Sequence, residues 1–199
     1  MSSSQLPHYV LYRLGLASAG TQTTPAEQQS LLRWATGKHR LVEIGVWHGA
    51  NTRRLREVMA EDGVLTGVDP FPTGRLGISF PLCIARREIA RSARGHAVLS
   101  RMTSAEAARS WAKTIDFLFI DGDHTYEGIH ADWEGWSGFV AQGGAVCLHD
   151  SQATPERPIV DAGSVRFVAE VIARDPRFET AEVVETLTVL LRKRDALAG

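Results

Sequence analysis

The sequence predicts an α/β fold: a doubly wound, mostly parallel sheet of seven strands that ends in a C-terminal antiparallel hairpin. Three observations predict it. Short apolar runs alternate with helical patterns five times between Arg40 and Ala173. Several of the runs stop at a turn residue, at Gly45, Asp69-Pro70, Asp121-Gly122 and His149-Asp150. The last two runs, Phe178 to Val184 and Thr186 to Arg192, are joined too tightly for a helical crossover and therefore pair antiparallel.

Each element has its own signal. The first 23 residues carry Tyr9, Val10, Leu11, Tyr12, Leu14 and Leu16 and read as an extension that packs on the domain or on a second copy, which makes a homodimer an expectation. The domain is expected over 24–195. Thr24-Pro25-Ala26-Glu27 has the form of a helix start, and the helix runs to about Trp34 or Ala35. A strand follows over Arg40 to Gly45, then a helix over Asn51 to Met59 and a second strand over Val64 to Val68. Phe71 to Phe80, with one proline and two glycines, reads as a loop over a site. A basic helix over Leu82 to Ala93, a strand at Ala97 to Leu99 and a short helix over Ser104 to Trp111 come next. The central strands are placed near Asp116 to Ile120 and Ala145 to Leu148, with Gly143-Gly144 just before the second. Ile129, Trp133 and Trp136 share helical spacing and form a core face. Ser151 to Gly163 reads as a second loop, followed by a helix over Ser164 to Ala173.

Composition narrows the function classes. Of 199 residues, 44% are hydrophobic and 23% charged, as in an ordinary single globular domain. A formal net charge of -1 gives no bulk attraction to nucleic acid or anionic membrane. No apolar run is long enough to span a bilayer, and the N-terminus lacks a secretory layout. Cys83 and Cys147 are the only cysteines, which suits a reducing, cytoplasmic setting.

Two stretches carry chemistry. In the first, Glu43 to Thr52, Gly45 permits a sharp turn and Gly49 lets backbone approach a ligand. Trp47 stands where a dinucleotide fingerprint has its middle glycine, which argues against a pyrophosphate. A ligand with an amine and a ribose suits the loop better, with Glu43 facing the cation and Asp69 the ribose hydroxyls. The bland alternative is an ordinary helix-start turn. In the second stretch, Asp121, Gly122, Asp123 and His124 end one buried strand, and His149-Asp150 ends the next. Parallel neighbours joined by a right-handed crossover present both ends at one edge, where open α/β sheets bind ligands. Asp-Gly-Asp is also common turn chemistry, and His124 could simply cap the following helix.

The chain resembles the class I S-adenosylmethionine-dependent methyltransferases, Rossmann-like proteins with a seven-stranded sheet. Within them it is similar to the metal-dependent macrolide-sugar and aminocoumarin-sugar O-methyltransferases. The resemblance rests on Glu43-x-Gly45-Val46-Trp47-x-Gly49, on Asp121-Gly122-Asp123-His124-x-Tyr126-Glu127 and on the terminal hairpin, and covers about residues 40 to 192. It implies S-adenosylmethionine as cofactor, contacted by Glu43, Gly45, Gly49, Asp69, Ser104 and Asp121, with Met102 also near the adenine. It implies a divalent metal, magnesium above all, held by Asp121, His149 and Asp150. Relatives more often carry an acid at the position of His149, so His149 is either a ligand to a softer ion, a group behind the ligands, or part of a site without metal.

Hydroxyl chemistry asks for such a site independently. An alcohol is a poor nucleophile at neutral pH, and a cation with a nearby base makes it a better one. Asp123, two residues past Asp121, is placed to be the base. His124 competes, since an imidazole titrates near pH ~6.5. The expected function is an O-methyltransferase acting on a small-molecule or oligosaccharide acceptor, a sugar or glycoside hydroxyl in natural-product or polysaccharide assembly. Two rivals stand beside it: a metal-dependent phosphoester hydrolase using the same acids and histidines, and a silent module that binds the cofactor without catalysis. His48 is expected on the surface. Arg86, Arg87, Arg91 and Arg94 are expected on a solvated face. Tyr9, Tyr12, Trp47, Phe71, Phe80 and Tyr126 offer aromatic surfaces.

Overall fold

The computed structural model describes residues 5–74 and 77–194. The expected domain end at 195, the first four residues of the extension and two positions of the loop after Phe71 lie outside the described residues. The described elements are, in order, α1 Gln5–Arg13, α2 Pro25–Ala35, β1 Arg40–Ile44, α3 Ala50–Val58, β2 Val64–Val68, α4 Phe80–Ile89, β3 His96–Ser100, α5 Ser104–Arg109, β4 Ile115–Ile120, α6 Tyr126–Trp136, β5 Val140–Leu148, α7 Gly163–Glu170, β6 Phe178–Val184 and β7 Leu187–Arg192. They form one seven-stranded sheet in the order β3-β2-β1-β4-β5-β7-β6. Strands β1 to β5 run parallel, and β7 is the reversed strand, antiparallel to both β5 and β6.

The pleat divides the core into two layers. Val42, Ile44, Leu118, Ile120, Val146 and Leu148 point to one face and pack with Trp133, Trp136 and Phe167 of α6 and α7. Leu41, Phe117, Phe119, Ala145 and Cys147 point to the other and pack with Leu31 and Ala35 of α2, Leu55 of α3 and Met59 just beyond it. Trp133 and Trp136 are 1% and 0% exposed, as the helical spacing predicts for a core face.

Local chemistry sets the boundaries. The Thr24 hydroxyl accepts from Glu27 N and the Glu27 carboxylate accepts from Thr24 N, a capping box that fixes the start of α2. Ser79 caps α4, whose Pro81 sits in the first turn, so the helix starts two residues before the expected Leu82. β5 runs from Val140 straight through Gly143-Gly144, so it starts before the expected Ala145. Between the pairs Ile115–Val140 and Phe117–Ala145, β5 advances five positions while β4 advances two, an irregularity that Gly143 takes up at φ 75. The extension packs on the domain through α1, where the Tyr12 hydroxyl donates to Glu88 at 2.7 Å. Arg53 and Arg91 also donate to that buried carboxylate.

Candidate active site

Parallel register brings four strand tips to one edge. Ile44 pairs with Val68 and Ile120, and Ile120 pairs with Leu148. Each chain adds one more bond beyond its tip: Gly45 N to Val68 O, Asp121 N to Ile44 O, and His149 N to Ile120 O. Gly45 has to be glycine, because a Cβ at its φ of 87 would lie 2.1 Å from the Asp121 carbonyl oxygen. Trp47, Phe71 and Asp150 hold φ of 48, 44 and 50, left-handed conformations that cost a non-glycine residue roughly 1–3 kcal/mol each. All three lie in the turns that follow these strands.

A cavity of about 690 Å³ opens between the tips, a volume typical of small-molecule sites. Its walls are the first glycine loop from Ile44 to Trp47, Val68 to Pro70, Thr103 to Ala105, Asp121 to His124, and Ala131-Asp132 of α6. The N-terminal segment Gly20 to Gln22 closes one side. It is tied down where Gly20 N donates to His48 Nδ1 and where the Thr21 and Thr23 hydroxyls meet Asn51 Oδ1.

The residues expected to meet a cofactor fall into different positions. Asp69 accepts from the backbone N–H groups of Val46, Trp47 and Phe71 at 3.1, 2.9 and 2.7 Å. Those bonds lock the glycine loop and leave about one of the roughly four acceptor positions of a carboxylate free, fewer than a two-hydroxyl clamp would use. Ser104 lines the cavity while its hydroxyl accepts from Trp136 Nε1 at 2.8 Å. Gly45 and Asp121 line the cavity, whereas Gly49 does not: its open side faces Ala85 of α4, 2.9 Å from where a Cβ would stand. Glu43 is 1% exposed and sits behind the wall. Burial pushes its carboxyl up to about 8, the Thr52 hydroxyl pulls the other way, and the charges of Asp121 and Asp69 add to the rise.

At the other end the two acidic turns meet. Asp121 Oδ1 lies 2.8 Å from His149 Nδ1 and 3.9 Å from His124 Nε2. Asp150 Oδ2 lies 3.7 Å from His124 Nε2 and takes a 2.8 Å hydrogen bond from Arg157. His149 is enclosed, with Glu27 Oε2 3.4 Å from its Nε2. Neither ring nitrogen of His149 has an aligned hydrogen bond, despite the short contacts. Burial disfavours its charged form, but Asp121, Glu27 and Asp150 outweigh that and push its pKa up to about 10. Burial likewise works against charge on Glu27, and there the close contact with His149 and the donors from Thr186 and Thr24 prevail and hold it at about 2. One donor atom each from Asp121, His124 and His149 lies within 4.8 Å of the others, close enough to meet on one ion. Asp150 stands beside that trio, engaged by Arg157. Asp123 is exposed on the cavity wall, where its Oδ1 accepts from Thr125 N in a side-chain turn and its other oxygen remains available.

Several residues escape a sequence reading. His48 is not on the surface: it is 5% exposed and stacked between His8 and Trp47. Glu27 was visible only as a helix cap. Asp132, 5% exposed on the cavity wall, is pushed up to about 6 by burial, partly offset by Ser104 and reinforced by Asp123. Arg157 lies in an undistinguished loop. Of the six aromatic residues singled out, Trp47 alone lines the cavity, while Phe71 is wholly buried and Tyr12 is bound to Glu88.

Known proteins share this fold. A protein from Corynebacterium glutamicum superposes with a TM-score of 0.68 at 17% identity, over 98% of this chain and 93% of that one. An O-methyltransferase from Bacillus cereus in complex with SAH gives 0.64 at 18%, over 96% and 92%. A cofactor-bound protein from MTB gives 0.69 at 15%, over 96% and 90%. At these identities the likeness establishes the fold. The family model described as a methyltransferase domain matches residues 42–151, from the first strand through both acidic turns. With more than half of its length matched from Val42 to Ser151, the chain belongs to the methyltransferase domain family, and it is an enzyme of that class.

Proposed function

We propose that the protein moves the methyl group of S-adenosylmethionine to a hydroxyl oxygen of a sugar or glycoside, with a divalent cation held beside the acceptor. One observation carries this reading: a single cavity joins the first glycine loop to the Asp121–His124 turn, with buried carboxylates and an imidazole immediately behind that turn. S-Adenosylmethionine supplies a sulfonium methyl that needs an oxygen nucleophile in line. A divalent cation supplies the charge that lowers the pKa of a bound alcohol.

The chain's own groups do the remaining work. Asp69 fixes the backbone of Val46 and Trp47 against which the donor lies, and keeps one acceptor position for a ribose hydroxyl. Asp121, His124 and His149 are the residues that would hold the ion. Two imidazole nitrogens and one carboxylate oxygen suit manganese, iron or zinc better than magnesium. The Nδ1 of His149, buried and without an aligned hydrogen bond, supports an ion there. Asp150 sets the cluster's edge through Arg157. Asp123, exposed at the wall with one carboxylate oxygen unclaimed, takes the acceptor's proton. Membership in the methyltransferase family removes the support for a phosphoester hydrolase.

The test is transfer of labelled methyl from S-adenosylmethionine to a panel of sugars, glycosides and catechols, with EDTA and with Mn²⁺ restored. Label should reach a sugar hydroxyl, vanish on chelation and return with Mn²⁺. Asp123→Asn should lower kcat by about 10²–10⁴ while Mn²⁺ still binds. Transfer that survives chelation contradicts the metal, label on catechols alone contradicts the sugar, and an Asp123→Asn enzyme of undiminished kcat contradicts the base.

A further inference from the structure

Glu27 carries more than a helix cap requires. In a capping box the third-position carboxylate reaches back to one backbone N–H and usually stays in water. Here it is 0% exposed. Its Oε2 accepts from Thr24 N at 2.8 Å, and its Oε1 accepts from Thr186 N at 3.0 Å and from the Thr186 hydroxyl at 2.6 Å. Those donors are neutral, and a buried carboxylate is costly without a cationic or strongly donating neighbour. That neighbour is His149, whose Nε2 lies 3.4 Å from Glu27 Oε2. The same ring turns Nδ1 the opposite way, to 2.8 Å from Asp121 Oδ1.

The ring therefore lies between two carboxylates from distant parts of the chain, one on α2 and one at the tip of β4. Glu27 is itself held by the hairpin turn before β7 through Thr186, whose hydroxyl proton goes to the nearer partner, Glu27, rather than to Asp150 at 3.3 Å. We propose that Glu27 is a positioning residue for a metal ligand: its carboxylate fixes the His149 ring so that Nδ1 is the atom presented beside Asp121 to a divalent cation. The inference rests on the metal-assisted reading above. Its physical basis is general, since a ligating imidazole works best when its other nitrogen donates to a carboxylate that sets tautomer and orientation. It also gives α2, outside the matched methyltransferase region, a direct part in the site.

The test uses the full chain and Mn²⁺ alone, with binding read by calorimetry and folding read by thermal melts. Glu27→Gln keeps the side chain's shape and an oxygen for Thr186 but removes the charge facing His149. It should weaken Mn²⁺ binding about 10–100-fold. Thr24→Ala, which weakens the same helix cap without touching His149, should lower Tm yet leave Mn²⁺ affinity within about twofold of wild type. Should Glu27→Gln fail to fold, Thr186→Val takes its place and should weaken Mn²⁺ binding several-fold. Equal Mn²⁺ affinity in wild type and Glu27→Gln overturns the proposal, as does a loss in both Glu27→Gln and Thr24→Ala that merely follows Tm. A wild-type protein that binds no Mn²⁺ overturns the metal reading together with the inference built on it.

Discussion

Glu43 is fully enclosed at the end of β1, and its Oε2 has no hydrogen-bond partner among the described residues. With its carboxyl raised from an ordinary 4.5 to about 8, it is largely neutral at pH 7. A carboxyl raised in the folded state supports folding fully below pH ~4.5 and loses that support as pH climbs through 8. Glu43→Gln, neutral at every pH, should therefore flatten the alkaline side of the stability curve. Thermal melts between pH 6 and 9 should show wild type losing stability that the variant keeps, by on the order of 1–3 kcal/mol at pH 9. Parallel curves for the two proteins would contradict the assignment. The sequence displays an acid two residues before Gly45 and so suggests a partner for a cation. It cannot display that the carboxyl is walled off, because the wall comes from residues far along the chain. Asp132 escapes for the same reason: on α6 it reads as one more polar residue between Ile129 and Trp133, and only folding brings it to Ser104 and the cavity.

At the scale of elements, the strands were legible because β1, β4 and β5 are buried on both faces and so read as continuous apolar runs. The early start of β5 was not legible, since Gly143-Gly144 lies inside the strand at an irregularity. Least legible was the use made of the segments before β1. A capping box announces α2 but says nothing of its Glu27 meeting His149. A polar stretch from Gly20 to Thr23 says nothing of its bonds to His48 and Asn51 beside the cavity. Helix α1 is docked through the buried Tyr12 to Glu88 hydrogen bond, within a cluster that also engages Arg53 and Arg91, and through His8 stacked on His48. Tyr12→Phe keeps the ring and removes the hydroxyl, so it should lower stability by about 1 kcal/mol in chemical denaturation and leave cofactor affinity unchanged. An unchanged midpoint would mean that the α1 contact contributes nothing to the fold.

For the whole molecule, alternating strands and helices with a tight final hairpin announce a mostly parallel sheet with an antiparallel end, while the order β3-β2-β1-β4-β5-β7-β6, with β7 inserted between β5 and β6, shows only in the fold. That order places the ends of β1, β2, β4 and β5 on one edge and makes the cavity. The described helices include none long and apolar enough to cross a membrane. In the proposed reading the cavity between these tips receives the methyl donor, with Asp69 holding the loop that receives it. Calorimetric titration of the full chain with S-adenosylhomocysteine tests it most directly. Saturable binding of one ligand per chain, weakened at least about tenfold by Asp69→Ala through the loss of charge-assisted bonds to Val46, Trp47 and Phe71, is the predicted result. No saturable binding by the folded wild-type protein, or binding that Asp69→Ala leaves untouched, would contradict it.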